Sequence, residues 1–83
     1  MKCPNGTIRT AAELGAAIRT KRREIGLRQA ELAGLAGVGT RFLSELENGK
    51  ETAALGKALR VLHRLGIEVW LRERGQRANG SEL

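Results

Sequence analysis

The sequence predicts an all-α fold, a compact unit of four short helices, followed by one C-terminal β-strand that pairs across a homodimer. Three observations carry this expectation. Apolar residues recur at helical spacing in four separate runs between Ala11 and Leu65. Each run closes on a glycine or an Asn-Gly pair. After Gly66 the period shortens to two, which is strand spacing. The 83 residues suffice for one domain and bury little core, so a partner subunit would add stability.

The elements follow in order. Residues 1–9 form an N-terminal arm, and Thr10 with Glu13 three residues on has capping-box spacing. A first helix runs from Ala11 to Ile25, with Leu14, Ala17, Ile18 and Ile25 inward, and stops at Gly26. Gln29 to Ala36 is a second helix with Ala30, Leu32, Ala33 and Ala36 on its apolar side; Gly37 ends it. After Val38-Gly39, a third helix spans Thr40 to Glu47 with Phe42, Leu43 and Leu46 inward. Thr52 caps a fourth helix from Ala53 to Leu65, striped by Leu55, Ala58, Leu59 and Leu62. Residues 10–66 are therefore the helical body.

In residues 67–74, Ile67, Val69 and Leu71 alternate with Glu68, Trp70 and Arg72. A lone strand leaves its backbone groups unpaired, so it needs a neighbour. Either Thr7-Ile8-Arg9 supplies it or the same strand of a second chain does, and the second option is preferred. Ile67, Val69, Trp70 and Leu71 are then the dimer contacts. Residues 75–83 are polar and expected to be a disordered tail.

Composition narrows the function. Fifteen Lys and Arg against nine Glu, with no Asp, give a net charge of +6, which favours polyanions. Without Asp or Tyr and with His63 as the sole histidine, a Ser-His-Asp triad is impossible, and an enzyme is not expected. Gly49-Lys50 lacks the glycine and hydroxyl residue of a phosphate loop. Cys3, the only cysteine, has no intrachain partner, which excludes a disulfide framework and a thiol-rich metal site. No cofactor or metal is expected. His63 is read as a surface residue of the fourth helix. Arg19, Lys21 and Arg23 are either a solvated face or an extension of a phosphate footprint. No apolar run follows Lys2, so no secretory signal is expected, and the cytoplasm is the expected setting.

The informative stretch is Gln29 to Leu46. Two short helices joined by a tight turn need a small residue where their axes approach and a residue tolerant of positive φ in the turn. Ala33 and Gly37 meet those needs in order, while Leu32, Val38, Leu43 and Leu46 point to the core.

Leu27-Arg-Gln-Ala-Glu-Leu-Ala33, followed by Leu46-Glu-Asn-Gly-Lys50, resembles the helix-turn-helix of the phage-repressor, or XRE, group, whose fold is lambda-repressor-like. The resemblance runs from Leu14 to Leu65 without a gap. Within that group, Leu14-Gly-Ala-Ala-Ile-Arg19, Arg41 to Lys50 and Leu59 to Ile67 resemble HipB-type antitoxins, which add a C-terminal strand that pairs across a dimer.

The resemblance makes the helix from Thr40 the recognition helix, with Thr40, Arg41 and Glu45 facing base edges and Ser44 close by. An arginine there can make a bidentate contact with guanine, and the plainer alternative for Arg41 is a phosphate contact or surface charge. Gln29 matches a phosphate contact at a helix N-terminus. Arg28 stands where the family has a Thr, Ser or Asn cap, which weakens the cap and offers a second phosphate contact. Asn48 and Lys50 match residues beside the DNA backbone, or else serve as a helix stop and a solvated charge. Arg22 and Glu47 match a structural ion pair between the first helix and the end of the third.

Implied further are a palindromic double-stranded DNA operator, a homodimer, repression of transcription, and a HipA-like serine/threonine kinase toxin as protein partner. A solitary regulator, an antitoxin of an unrelated toxin and a protein-interaction module are alternatives. An RNA binder is disfavoured by one Trp, one Phe and no Tyr for stacking on bases.

Overall fold

The computed structural model describes residues 6–75, so Cys3 and nearly all of the expected tail lie outside the described residues. Four helices follow one another: α1 (Ala11–Ile25), α2 (Gln29–Ala36), α3 (Thr40–Glu47) and α4 (Leu55–Arg64). α2 lies against both α3 and α4, and α1 packs on α3.

Each helix contributes one fully buried large side chain to the centre: Ile18, Leu32, Leu43 and Val61. Ala33, Ala36, Leu46, Ala58, Leu62 and Leu65 complete the core, and Val38, Phe42 and Leu14 pack against it half-buried. Burial of such side chains contributes about 1.5–3 kcal/mol each. Ala30 and Ile25, expected inward, are exposed.

Local chemistry sets the helix ends. The Thr10 hydroxyl accepts from the Glu13 N–H at 3.0 Å, and the Glu13 carboxylate accepts from the Thr10 N–H, closing a capping box at α1. α2 ends in a Schellman motif: Val38 N–H donates to the Ala33 carbonyl at 3.0 Å and Gly37 N–H to that of Gly34 at 3.3 Å. The motif requires the left-handed conformation that Gly37 adopts, with φ at 73°.

α4 departs from expectation. Thr52 does not cap it: Glu51 and Thr52 make a turn, and the helix starts at Leu55 after Ala54, which has no capping side chain. Its buried stripe is Ala58, Val61, Leu62 and Leu65; Leu55, in the first turn, and Leu59, one position beyond Ala58, are exposed.

The strand expected over residues 67–74 is not present. Among the described residues no segment forms a strand, and neither Thr7-Ile8-Arg9 nor residues 67–73 pairs in a ladder. The reason is the one that applies to any isolated strand: without a neighbour its N–H and C=O groups gain nothing from alignment. Ile67 turns inward and packs half-buried on the core, leaving Val69, Trp70 and Leu71 exposed.

Candidate nucleic-acid interface

A helix can read a groove only if it projects and is held rigidly, and α3 satisfies both conditions. Leu43, Leu46 and Glu47 are buried, whereas Thr40 and Arg41 are exposed and Ser44 and Glu45 half-buried on the outward side. The four expected base-reading residues thus share the solvent side of α3.

The anchor is Glu47, only 3% exposed. Its carboxylate accepts from Arg22 Nε at 2.6 Å and Nη2 at 3.0 Å, a two-point pairing of planar groups. Arg22 also donates to the Leu27 carbonyl at 2.8 Å, tying in the α1–α2 link. Gln29 donates its amide to Glu47 at 3.0 Å, and Arg19 reaches the same oxygen at 3.5 Å. Arg19 continues to the Asn48 side chain at 3.0 Å. One carboxylate therefore joins the middle of α1, the start of α2 and the end of α3. Burial opposes ionisation of Glu47. The hydrogen bonds from Arg22 and Gln29, the charge of Arg22 and the hydrogen bond from Arg19 outweigh it and hold the carboxyl below its ordinary range.

Sequence reading found the Arg22–Glu47 pair but not its extension. Gln29, expected to touch phosphate, spends an amide N–H on Glu47 and is positioned by it. Arg19, read as solvated or phosphate-facing, is a network member. Gly15 was passed over: a side chain there would overlap the Leu46 carbonyl oxygen and lie 2.6 Å from that of Glu47. A glycine in mid-helix was the available signal. Arg60 of α4 was also missed; it donates to the Gly37 carbonyl at 3.1 Å, bracing the turn.

Around this anchor the remaining candidates line up. Arg28 precedes α2 and gives it no side-chain cap, as its substitution for a cap residue implied. Its backbone N–H instead donates to the Glu31 carboxylate at 2.8 Å, half of a capping box, and that hydrogen bond lowers the Glu31 pKa. Asn48 and Lys50 follow α3 and are exposed. Lys50 Nζ donates to Glu45 at 3.1 Å, and Arg41 Nε to its other oxygen at 3.4 Å; the Lys50 contact first, then Arg41, lowers the Glu45 pKa.

On another part of the surface, Leu35, Leu59, Val69, Trp70 and Leu71 are exposed apolar side chains, Trp70 by 81% and Leu71 by 94%. Leu59, Leu62, Ile67, Val69 and Trp70 border one shallow groove, with His63 at its rim. Among the described residues no group of His, Cys, Asp or Glu is placed to hold a metal ion, and no helix is long and apolar enough to cross a membrane.

Comparison with known proteins places this geometry. The helix-turn-helix family matches residues 18–69. A protein of Sinorhizobium fredii described as an uncharacterized HTH-type transcriptional regulator, y4mF, is 51% identical over 70 residues, 84% of this chain and 92% of that one. A solved HipB–O4 20mer complex superposes with a TM-score of 0.76 at 25% identity, covering 83% of this chain and 97% of that chain. The structure of a HipA–HipB–O2–O3 complex gives 0.77 at the same identity and coverage. From the projecting α3, the glycine turn before it and these matches together, the chain is a member of the helix-turn-helix family, of the XRE type.

Proposed function

We propose that this chain is a sequence-specific DNA-binding repressor that acts as a homodimer, and that it is the antitoxin of a toxin–antitoxin pair. The observation that carries the DNA reading is α3, braced from behind by buried Glu47 and presenting Thr40, Arg41, Ser44 and Glu45 to solvent. Arg28, Asn48 and Lys50 flank that face with groups suited to phosphate, and the remaining amide N–H of Gln29 serves the same end. The chain binds and does not catalyse.

Two copies pair through residues 67–72 and the neighbouring surface of α4. The exposed Val69, Trp70 and Leu71 support this, because an apolar segment with unpaired backbone is stabilised by a second copy of itself. The two recognition helices then enter successive major grooves of a palindromic operator, roughly 34 Å apart. Bound over a promoter, the dimer blocks polymerase. The likeness to HipB solved together with HipA supports a HipA-like serine/threonine kinase as the toxin held inactive. Co-purification from the native operon separates this from a solitary regulator.

The test is a shift assay with the gene's own promoter and a scrambled duplex. Wild type prefers the promoter and loses affinity steeply with salt. Arg41→Ala, with its fold intact, discriminates about tenfold less, the worth of one bidentate base contact. Retained discrimination would remove Arg41 from the reading surface, and no binding to any duplex would favour an interaction module.

A further inference from the structure

The outward face of α3 carries an anion clasped between two cations. Arg41 lies one helical turn before Glu45, so the two share a face and meet at 3.4 Å. Lys50 arrives from the other side because the chain folds back after α3: its backbone N–H donates to the Glu45 carbonyl at 3.0 Å, which brings Nζ to the carboxylate at 3.1 Å. The two contacts use different carboxylate oxygens. Two of the cations that would meet DNA are therefore engaged before DNA arrives. The engaging carboxylate itself sits where phosphates and base edges would crowd. All three side chains are solvated, so this clasp opens at little cost.

We propose that Glu45 is a specificity determinant that acts by exclusion, occupying Arg41 and Lys50 and opposing any duplex that gives its carboxylate no donor. This rests on the DNA-binding reading above. On a random sequence, freeing the two cations for phosphate leaves Glu45 as an unpaired negative charge among phosphates. Where a cytosine amino group faces it, the carboxylate gains a donor while Arg41 turns to guanine. Glu45 thus lowers affinity for every duplex, but lowers it most for the wrong ones, the way discrimination is built from repulsion.

The experiment is an equilibrium titration of the full chain and of Glu45→Gln against the promoter duplex and a scrambled duplex of equal length and composition. Each is measured at about 50 and about 200 mM salt. Glu45→Gln is expected to bind the scrambled duplex about tenfold more tightly and to lose about tenfold in promoter-to-scrambled ratio. Its salt slope on scrambled DNA steepens by about 1–2 per protomer as Arg41 and Lys50 reach phosphates. Glu45→Ala gives the same direction, which separates the lost charge from any hydrogen bond made by the new amide. Wild-type binding with an unchanged ratio and slope in both variants overturns the proposal alone. Failure of wild type to bind any duplex overturns the DNA reading and this proposal with it.

Discussion

Glu47 is the residue on which the geometry of α3 turns, since its carboxylate receives Arg22, Gln29 and Arg19 in a buried position. Removing Glu47 takes the carboxylate away from the buried Arg22 guanidinium, which keeps only the Leu27 carbonyl. Glu47→Ala is therefore expected to cost about 3 kcal/mol of stability, read from the shift of the urea midpoint. The pH dependence has a definite sign. Because the folded carboxyl is held below its ordinary 4.5, its contribution is complete above that value and is lost as pH falls through the lower folded pKa. Glu31 and Glu45 shift the same way but are solvated and screened, so Glu47 provides the larger part. Acid unfolding of Glu47→Gln should accordingly be flatter below pH 4.5 than that of wild type. Parallel curves would show that the pair adds nothing to acid sensitivity.

Among the elements, α1 to α3 have the ends that cap residues, glycines and period indicated, because those signals are local and the backbone answers to them directly. α4 was legible in kind but not in register. Its expected Thr52 cap lies in a turn, and its stripe was shifted onto Leu55 and Leu59 because four apolar positions fit more than one face. The Arg22–Glu47 pair implied by the family resemblance joined α1 to the end of α3, but the backbone approach at Gly15 was not legible, since it depends on a backbone distant in sequence. Gly15 is where that approach can be tested. Gly15→Ala gains about 1 kcal/mol of helix propensity. It also forces a methyl against two carbonyl oxygens that cannot swing away. A net loss of about 1–2 kcal/mol is expected in denaturant unfolding. A stabilised variant would show that α1 and α3 can separate freely there.

At the scale of the whole molecule, Val69, Trp70 and Leu71 are exposed apolar side chains outside α3, and the proposed dimer rests on them. Replacing both Val69 and Trp70 with glutamate is expected to give a monomer by sedimentation, with promoter affinity falling at least about tenfold as the second half-site is lost. A variant that remains dimeric would place the interface elsewhere. The strand reading of residues 67–74 shows why a single chain could not decide this point: alternation of side chains says which face is apolar, whereas pairing requires a neighbour's backbone.

Four helices and the glycine turn between the second and third were determined by the sequence alone, because period, caps and turn glycines act over a few residues, whereas Thr40, Arg41, Ser44 and Glu45 were singled out by the family resemblance. Only the tertiary structure decided that Gln29 and Arg19 join the Arg22–Glu47 pair, that Arg60 braces the turn, and that Lys50 and Arg41 close on one carboxylate. Those contacts, apart from the Arg41–Glu45 pair within α3, depend on where separate segments come to rest, and a side chain with several polar neighbours in reach takes its partner from packing.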